Sequence, residues 1–142
     1  MHNSHFQFCF VTPKSKQEVF NYLKNPAHWW QGLYQEHLEG SSKEVNDSFS
    51  FTAGNGIHHS IQKLLELDID KKISWQVIES NLTFLNDSTE WLGTRICFEI
   101  EDEGENTKVI FSHVGLVPAL ECYDSCSHAW TQYLEKLKTA LC

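Results

Sequence analysis

Long apolar runs are absent from this chain of 142 residues. A helix that spans a bilayer needs about 20 mostly apolar residues in a row, so the sequence predicts no membrane span. Basic residues are scarce too: 11 Lys and Arg stand against 19 Asp and Glu, which gives a formal net charge of −8. Because nucleic-acid binders need clustered cations to displace phosphate counterions, we expect no nucleic-acid partner.

Motifs for metals and cofactors are also missing. The five cysteines, at positions 9, 97, 122, 126 and 142, include no CxxC pair of the kind that structural zinc sites use. The chain holds no P-loop, dinucleotide fingerprint, HExxH motif or nucleophile elbow. The sequence therefore predicts no structural metal and no cofactor.

The N-terminal segment MHNSHFQFCF lacks a basic stretch followed by an apolar one. Since that pattern marks a secretory signal, we expect a cytoplasmic protein. An odd number of scattered cysteines in that compartment favours reduced thiols over a disulfide framework. We therefore expect no essential disulfide.

Apolar residues make up 41% of the chain, and aromatic residues make up 13%. This is enough for one core at a length typical of single domains, about 100–150 residues, so we predict a single domain over 1–142. Phenylalanines at every second position predict a half-buried strand over 5–11. Ser15 and Glu18 have the spacing of a capping box, and Asn25-Pro26 ends the short helix that follows. A second short helix or turn is predicted at 27–30.

From about residue 34 the apolar period changes to two. This predicts strands at 34–40, 48–53, 57–67, 71–79, 90–102 and 105–115, with a loop at 80–89. Over 119–141 the period is helical, and Pro118 suits the first turn of that helix. Its apolar face comprises Tyr123, Cys126, Trp130, Tyr133, Leu134, Leu137 and Leu141. Such a helix must pack on the sheet, so the predicted fold is α+β in the order β-α-α-β6-α.

Turn chemistry predicts the register of two hairpins. A two-residue turn at Glu103-Gly104, with glycine supplying a positive φ, joins the last two strands. The predicted pairs there are Thr94–His113, Ile96–Phe111, Phe98–Val109, Ile100–Thr107 and Glu99–Lys108. In the preceding hairpin they are Leu67–Ile73, Leu65–Trp75 and Asp68–Lys72, with a bulge as an open alternative.

This order of elements resembles the START-like (SRPBCC) superfamily and, within it, the family of heat-shock-protein-90 ATPase activator homologues. The segments that carry the resemblance are TPKSKQEVFNYL, NPAHWW, KKISWQV, EWLGTRICFEIED, TKVIFSHVGLVP and ECYDSCSHAWTQYLEKLK. The resemblance implies a helix grip, in which a curved seven-stranded antiparallel sheet wraps around the long C-terminal helix. It also implies a cavity between sheet and helix that takes a lipid-like or other hydrophobic small molecule.

We therefore predict a binding module with an internal apolar cavity. Ligand sites are mostly apolar with a few placed polar groups, although large aromatics also simply fill cores. The predicted ligand-binding residues are Trp30, Phe51, Trp75, Thr94, Ile96, Phe111, His113, Tyr123 and Trp130. We expect His113 to be buried and neutral, with Thr94 as its hydrogen-bond partner and the cavity within its reach.

Two alternatives from other classes stay open. One is an enzyme similar to polyketide cyclases and aromatases, with His113 as general acid or base and Glu90 and Thr94 on the same strand face. The other is an adaptor that binds a chaperone partner through the acidic segment 101–105, which is otherwise a solvated hairpin tip.

Overall fold

Seven strands form one antiparallel sheet in the computed structural model, which describes residues 5–142. They are β1 (Phe6–Thr12), β2 (His37–Gly40), β3 (Ser48–Ala53), β4 (His58–Asp68), β5 (Lys72–Leu82), β6 (Arg95–Glu103) and β7 (Asn106–Val114). Their spatial order is β1-β7-β6-β5-β4-β3-β2. With a long C-terminal helix, this open, curved sheet makes the predicted α+β helix-grip fold.

Residues 1–4 lie outside the described part, and the prediction about the N-terminal segment rests partly on them. Within residues 5–142, no helix combines the length and the hydropathy that crossing a bilayer demands.

The α-helices are α1 (Lys16–Leu23) and α2 (Tyr123–Ala140). A 3-10 helix (Pro26–His28) follows α1, and a second, short 3-10 turn (Gly54–Gly56) links β3 to β4. The predicted capping box starts α1: the Ser15 hydroxyl accepts from the Glu18 amide at 3.1 Å, and the Glu18 carboxylate accepts from the Ser15 amide at 3.2 Å. These bonds satisfy amides that have no partner inside the helix.

Helix α2 begins at Tyr123, so the predicted start at 119 is wrong and Pro118 lies outside the helix. The reason is a distant carboxylate. Glu90 accepts hydrogen bonds from the amides of Glu121 and Cys122 at 3.0 and 2.9 Å, which ties this approach segment to the loop before β6. The predicted apolar face is otherwise confirmed. Buried on it are Cys126, Trp130, Tyr133, Leu134, Leu137 and Leu141, and Tyr123 is half-buried.

The predicted register of the β6–β7 hairpin is wrong by two residues. Gly104, with φ of 65°, is the first central residue of the turn, so Glu103 pairs with Asn106. The observed pairs are Ile96–His113, Phe98–Phe111, Ile100–Val109, Glu99–Ile110 and Glu101–Lys108. Because side chains alternate with a period of two, a shift of two keeps the predicted set of residues on the inner face.

In the β4–β5 hairpin the predicted pairs Leu67–Ile73 and Asp68–Lys72 are confirmed. Trp75 faces Leu64 instead of Leu65, since the register shifts between Leu64 and Glu66. This irregularity is the bulge left open as an alternative.

The 90–102 strand begins only at Arg95, and β5 continues to Leu82. Glu90 therefore lies on the intervening loop and not on the strand face that was predicted for it.

The sulfur atoms of Cys122 and Cys126 are in contact at the start of α2, which places this pair for a disulfide where reduced thiols were expected. The four-residue separation at the start of α2 brings their Cα atoms to 5.5 Å, inside the range of about 4.4–6.8 Å that disulfides span. The free cysteines are Cys9, Cys97 and Cys142, of which only Cys97 is buried.

Candidate functional site

A cavity of about 200 Å³ lies against α2, β3 and the loops beside them. Aromatic rings dominate its wall. The ring-bearing residues that line it are Trp30, Tyr34, Phe51, His58, Phe84, Trp91, Trp130 and Tyr133. Ile57 and Phe84 are 49% and 44% exposed, so they lie at the mouth.

Trp30 reaches the cavity because the 3-10 helix turns the chain sharply after α1. The Asn25 side chain caps that turn by accepting from the Ala27 amide at 3.1 Å, and the Trp30 amide donates to the Pro26 carbonyl at 2.8 Å. The Trp30 ring then stacks on Phe51 of β3, with centroids 3.9 Å apart. Offset stacking of this kind adds to the burial energy of the rings.

A half-buried carboxylate, that of Glu36, holds the loop that carries Tyr34 against α2. Glu36 accepts from the amides of Gly32 and Tyr34 at 2.8 and 3.0 Å and from the hydroxyl of Tyr133 on α2. Partial burial alone would raise the pKa of Glu36, but these hydrogen bonds outweigh it and lower the pKa. Burial, followed by the bond to Glu36, raises the pKa of Tyr133. Loop 31–36 is thereby anchored to α2.

His113 lies behind the cavity wall and is completely buried. Its Nδ1 accepts from Trp130 Nε1 at 3.0 Å, so the proton of the neutral ring is on Nε2, which lies 2.8 Å from the Thr94 hydroxyl. That hydroxyl donates to the Trp91 carbonyl at 2.6 Å. Burial, with smaller effects of His58 and His5, lowers the pKa of His113 to about 3. The structure thus gives His113 its predicted partner, Thr94, although the two residues are not paired in the ladder. The lowered pKa agrees with the predicted neutral state.

Trp91 is brought into the wall by the loop before β6. The loop folds back so that the Gly93 amide donates to the Val77 carbonyl at 2.9 Å. The Trp91 side chain is 3% exposed. Its ring contacts the rings of His58 and His113 edge-on, with centroid distances of 4.7 and 4.6 Å. This places Trp91 between the two histidines.

His58, the other histidine of this group, is a cavity residue. Burial, with a smaller contribution from His59, lowers its pKa to about 3. Its Nε2 lies 3.4 Å from the Ser60 hydroxyl, a long contact. Near neutral pH the ring is uncharged and able to donate or accept one hydrogen bond.

Three predicted ligand-binding residues, Trp30, Phe51 and Trp130, line the cavity. The remaining six lie elsewhere. Trp75 donates from its indole to the Ser42 hydroxyl at 2.9 Å. The others off the lining are Thr94, Ile96, Phe111, His113 and Tyr123, of which Ile96, Phe111 and His113 are completely buried.

Sequence patterns miss Tyr34, His58, Trp91 and Tyr133 as lining residues. Tyr133 lies on the predicted apolar face of α2, so that periodicity did carry a signal for it. Trp91 has the wrong parity for the inner face of a strand that starts at 90, and only the observed loop turns it inward.

The family model described as Activator of Hsp90 ATPase homolog 1-like protein matches residues 14–142. No curated protein matches the chain. Solved structures show the same fold, beginning with that of the Aha1 dimer from Colwellia psychrerythraea, at 22% identity, TM-score 0.75 and coverage of 96% of this chain and 95% of that one. A Nitrosospira multiformis protein has 13% identity, TM-score 0.75 and coverage of 96% and 95%. A Chromobacterium violaceum protein has 14% identity, TM-score 0.69 and 97% coverage of both chains. On the extent of the family match, this chain belongs to the Activator of Hsp90 ATPase homolog 1-like family.

Proposed function

We propose that the protein binds a small hydrophobic molecule in the cavity beside α2. The observation that carries this proposal is the wall itself, in which rings from α2, β3, β4 and two loops converge around about 200 Å³. Cavities for drug-sized ligands hold about 300–1,000 Å³. The volume therefore favours a compact molecule over a long-chain lipid.

Filling the cavity tests the proposal. Ala129, half-buried on α2, lines the space and has no side-chain hydrogen-bonding group. Ala129→Phe is expected to abolish saturable binding of ethylbenzene, followed by NMR shift titration of the backbone amides. Ala140→Phe is the matched control, because Ala140 is exposed near the end of the same helix and lies off this cavity. Equal ethylbenzene affinity in the Ala129→Phe protein and the wild type would contradict the proposal.

The observed bonds do not favour the enzyme alternative. Both ring nitrogens of His113 have protein partners, and the residue does not line the cavity. His58 does line it, but a base with a pKa of about 3 is a weak proton acceptor near neutral pH. We therefore do not assign a proton-transfer role to either histidine.

A chaperone-binding adaptor is the second candidate function. It is favoured by the family description and by the β6–β7 hairpin tip, where four carboxylate side chains, those of Glu101, Asp102, Glu103 and Glu105, are exposed. Such a tip suits a basic partner surface. Stimulation of an Hsp90 ATPase that is lost in the Glu103→Lys, Glu105→Lys protein would support this function. An Hsp90 ATPase rate that does not change on adding the wild type would reject it.

A further inference from the structure

One buried hydrogen-bond donor in the cavity wall has no partner. Trp91 lines the cavity, is 3% exposed, and its Nε1–H meets no acceptor among the described residues. Three other tryptophans donate from their indoles. Trp29 bonds the Leu23 carbonyl, Trp75 the Ser42 hydroxyl and Trp130 the His113 ring. Since a buried donor is normally paired, an unpaired one in a cavity wall marks a place where a ligand can supply the acceptor.

The Trp91 ring is held too firmly to find an acceptor by turning. His58 and His113 contact it edge-on from their own strands, and Trp130 lies parallel to it, 9° between planes and 6.0 Å between centroids. Its backbone carbonyl is fixed as well, by the hydroxyl of Thr94 at 2.6 Å. The direction of the donor is therefore fixed, and because the Nε1 atom is itself buried, a ligand acceptor reaches it only where a neighbouring side chain of the wall moves aside.

The charge of the wall selects against ions. Within the described part of the chain, no Lys, Arg, Asp or Glu side chain lines this cavity. A carboxylate or an ammonium group taken into it would lose its hydration without gaining a counterion, which is strongly unfavourable. A carbonyl oxygen accepts from an N–H without that penalty.

The volume of the cavity limits the size of the ligand. An apolar cavity of about 150 Å³ holds benzene, so the cavity of about 200 Å³ accommodates one substituted ring. The surrounding indole and phenyl rings offer stacked and edge-on contacts to a flat guest.

We propose that the cavity selects a neutral, one-ring aromatic molecule bearing a carbonyl oxygen, and that Trp91 Nε1–H donates the hydrogen bond that recognises this oxygen. The inference rests on the proposed function, because it names the class of ligand for the same cavity. It makes Trp91 the residue that determines specificity.

Three probes of similar size test the proposal: acetophenone, ethylbenzene and benzoate. The first two differ only in whether the ring bears a carbonyl, and the third carries a charge. In the wild type, we expect acetophenone to bind roughly threefold to tenfold more tightly than ethylbenzene, which is the net contribution of one hydrogen bond, and benzoate to bind most weakly. The indole N–H resonance of Trp91 should move downfield with acetophenone alone.

Trp91→Phe keeps an aromatic ring and removes the donor. We expect this change to lower acetophenone affinity more than ethylbenzene affinity, so that the wild-type preference for acetophenone is lost. Trp29→Phe is the matched control, since the Trp29 ring is buried off the cavity and its donor is already paired. The wild-type comparison of the probes needs no variant, so it stands even where a variant fails to fold.

Two results would overturn the inference while leaving the proposed function intact. Equal wild-type affinities for acetophenone and ethylbenzene would remove the role of the donor, and tightest binding of benzoate would remove the selection against charge. Binding of none of the three probes would instead overturn the proposed function together with the inference.

Discussion

At the residue scale, hydrogen bonds settle the protonation state of His113 more firmly than its position in a strand does. Trp130 donates to Nδ1, the Nε2–H donates to the Thr94 hydroxyl, and that hydroxyl donates in turn to the Trp91 carbonyl. Each group in this hydrogen-bond network has at least one partner, which is what burial of polar atoms requires. The network joins α2 to β7 and to the loop before β6.

Removing the Thr94 hydroxyl tests this series of hydrogen bonds. Thr94→Val changes almost no volume but leaves the buried His113 Nε2–H unpaired, which should lower the free energy of unfolding by about 1–3 kcal/mol. Urea denaturation measures the change. Thr139→Val, on the exposed side of α2, should stay within about 0.5 kcal/mol of the wild type. Equal effects of the two substitutions would show that the Thr94 bonds are energetically unimportant.

The buried imidazole also predicts a pH dependence. Burial lowers the pKa of His113 from 6.5 to about 3, so between these values the unfolded chain binds one more proton at this residue than the folded protein does. Stability therefore falls as the pH falls through this range, by about 1.4 kcal/mol per pH unit from this residue. In His113→Gln, the slope of unfolding free energy against pH between about 5 and 6 should be smaller by that amount. An unchanged slope would place the imidazole in contact with water.

At the element scale, the ends of β7 explain why the hairpin has its observed register. Gly104 starts the turn with φ of 65°, and Gly115 ends the strand with φ of 103°. A Cβ on Gly104 would meet no atom within 4 Å, whereas a Cβ on Gly115 would lie 2.8 Å from Thr94 Cγ2. The close approach of Gly115 is what brings Thr94 beside His113 although the ladder does not pair them.

Alanine at the two glycines should separate backbone strain from crowding. Gly104→Ala should lower the free energy of unfolding by about 1–2 kcal/mol, because alanine is strained in the left-handed conformation. Gly115→Ala introduces comparable backbone strain and also displaces Thr94, so it should lower the free energy of unfolding by more than Gly104→Ala does. The His113 ring resonances should shift in the Gly115→Ala protein alone. Thermal unfolding and NMR measure the two effects. A larger loss from Gly104→Ala would contradict the contact between Gly115 and Thr94.

At the scale of the whole molecule, one aromatic core holds the helix in the sheet. Trp130 contacts rings from the 3-10 helix region, the β6 loop and β7. The centroid of the Trp130 ring lies 5.0 Å from that of Trp30, 6.0 Å from that of Trp91 and 4.7 Å from that of Phe111. The same residue forms part of the cavity wall. The packing of the helix and the shape of the proposed binding cavity therefore depend on the same side chain.

Trp130→Ala should lower the free energy of unfolding by about 3–5 kcal/mol, because it removes a large buried ring and leaves a void. Chemical denaturation measures this, with Leu92→Ala as the control, since Leu92 is 54% exposed. A loss below about 1 kcal/mol in Trp130→Ala would show that the ring contributes little to packing.

The sequence by itself determined the elements whose causes are local. Alternation of apolar residues, the capping box at Ser15 and the helical stripe through Trp130 each depend on neighbours within one or two turns. They predicted the helix-grip order and the inner-face residues. The prediction of a cavity came from the resemblance to known helix-grip proteins.

Only the tertiary structure decided the details that depend on distant residues. The start of α2 depends on Glu90, and the turn that carries Trp91 into the cavity wall depends on a backbone bond to Val77. The hairpin register was off by two because both registers place the same side chains on the inner face, and the apolar pattern does not distinguish them. Most of the cavity lining was missed for a related reason: a cavity forms where elements remote in sequence fail to fill the space between them, and no local period records that.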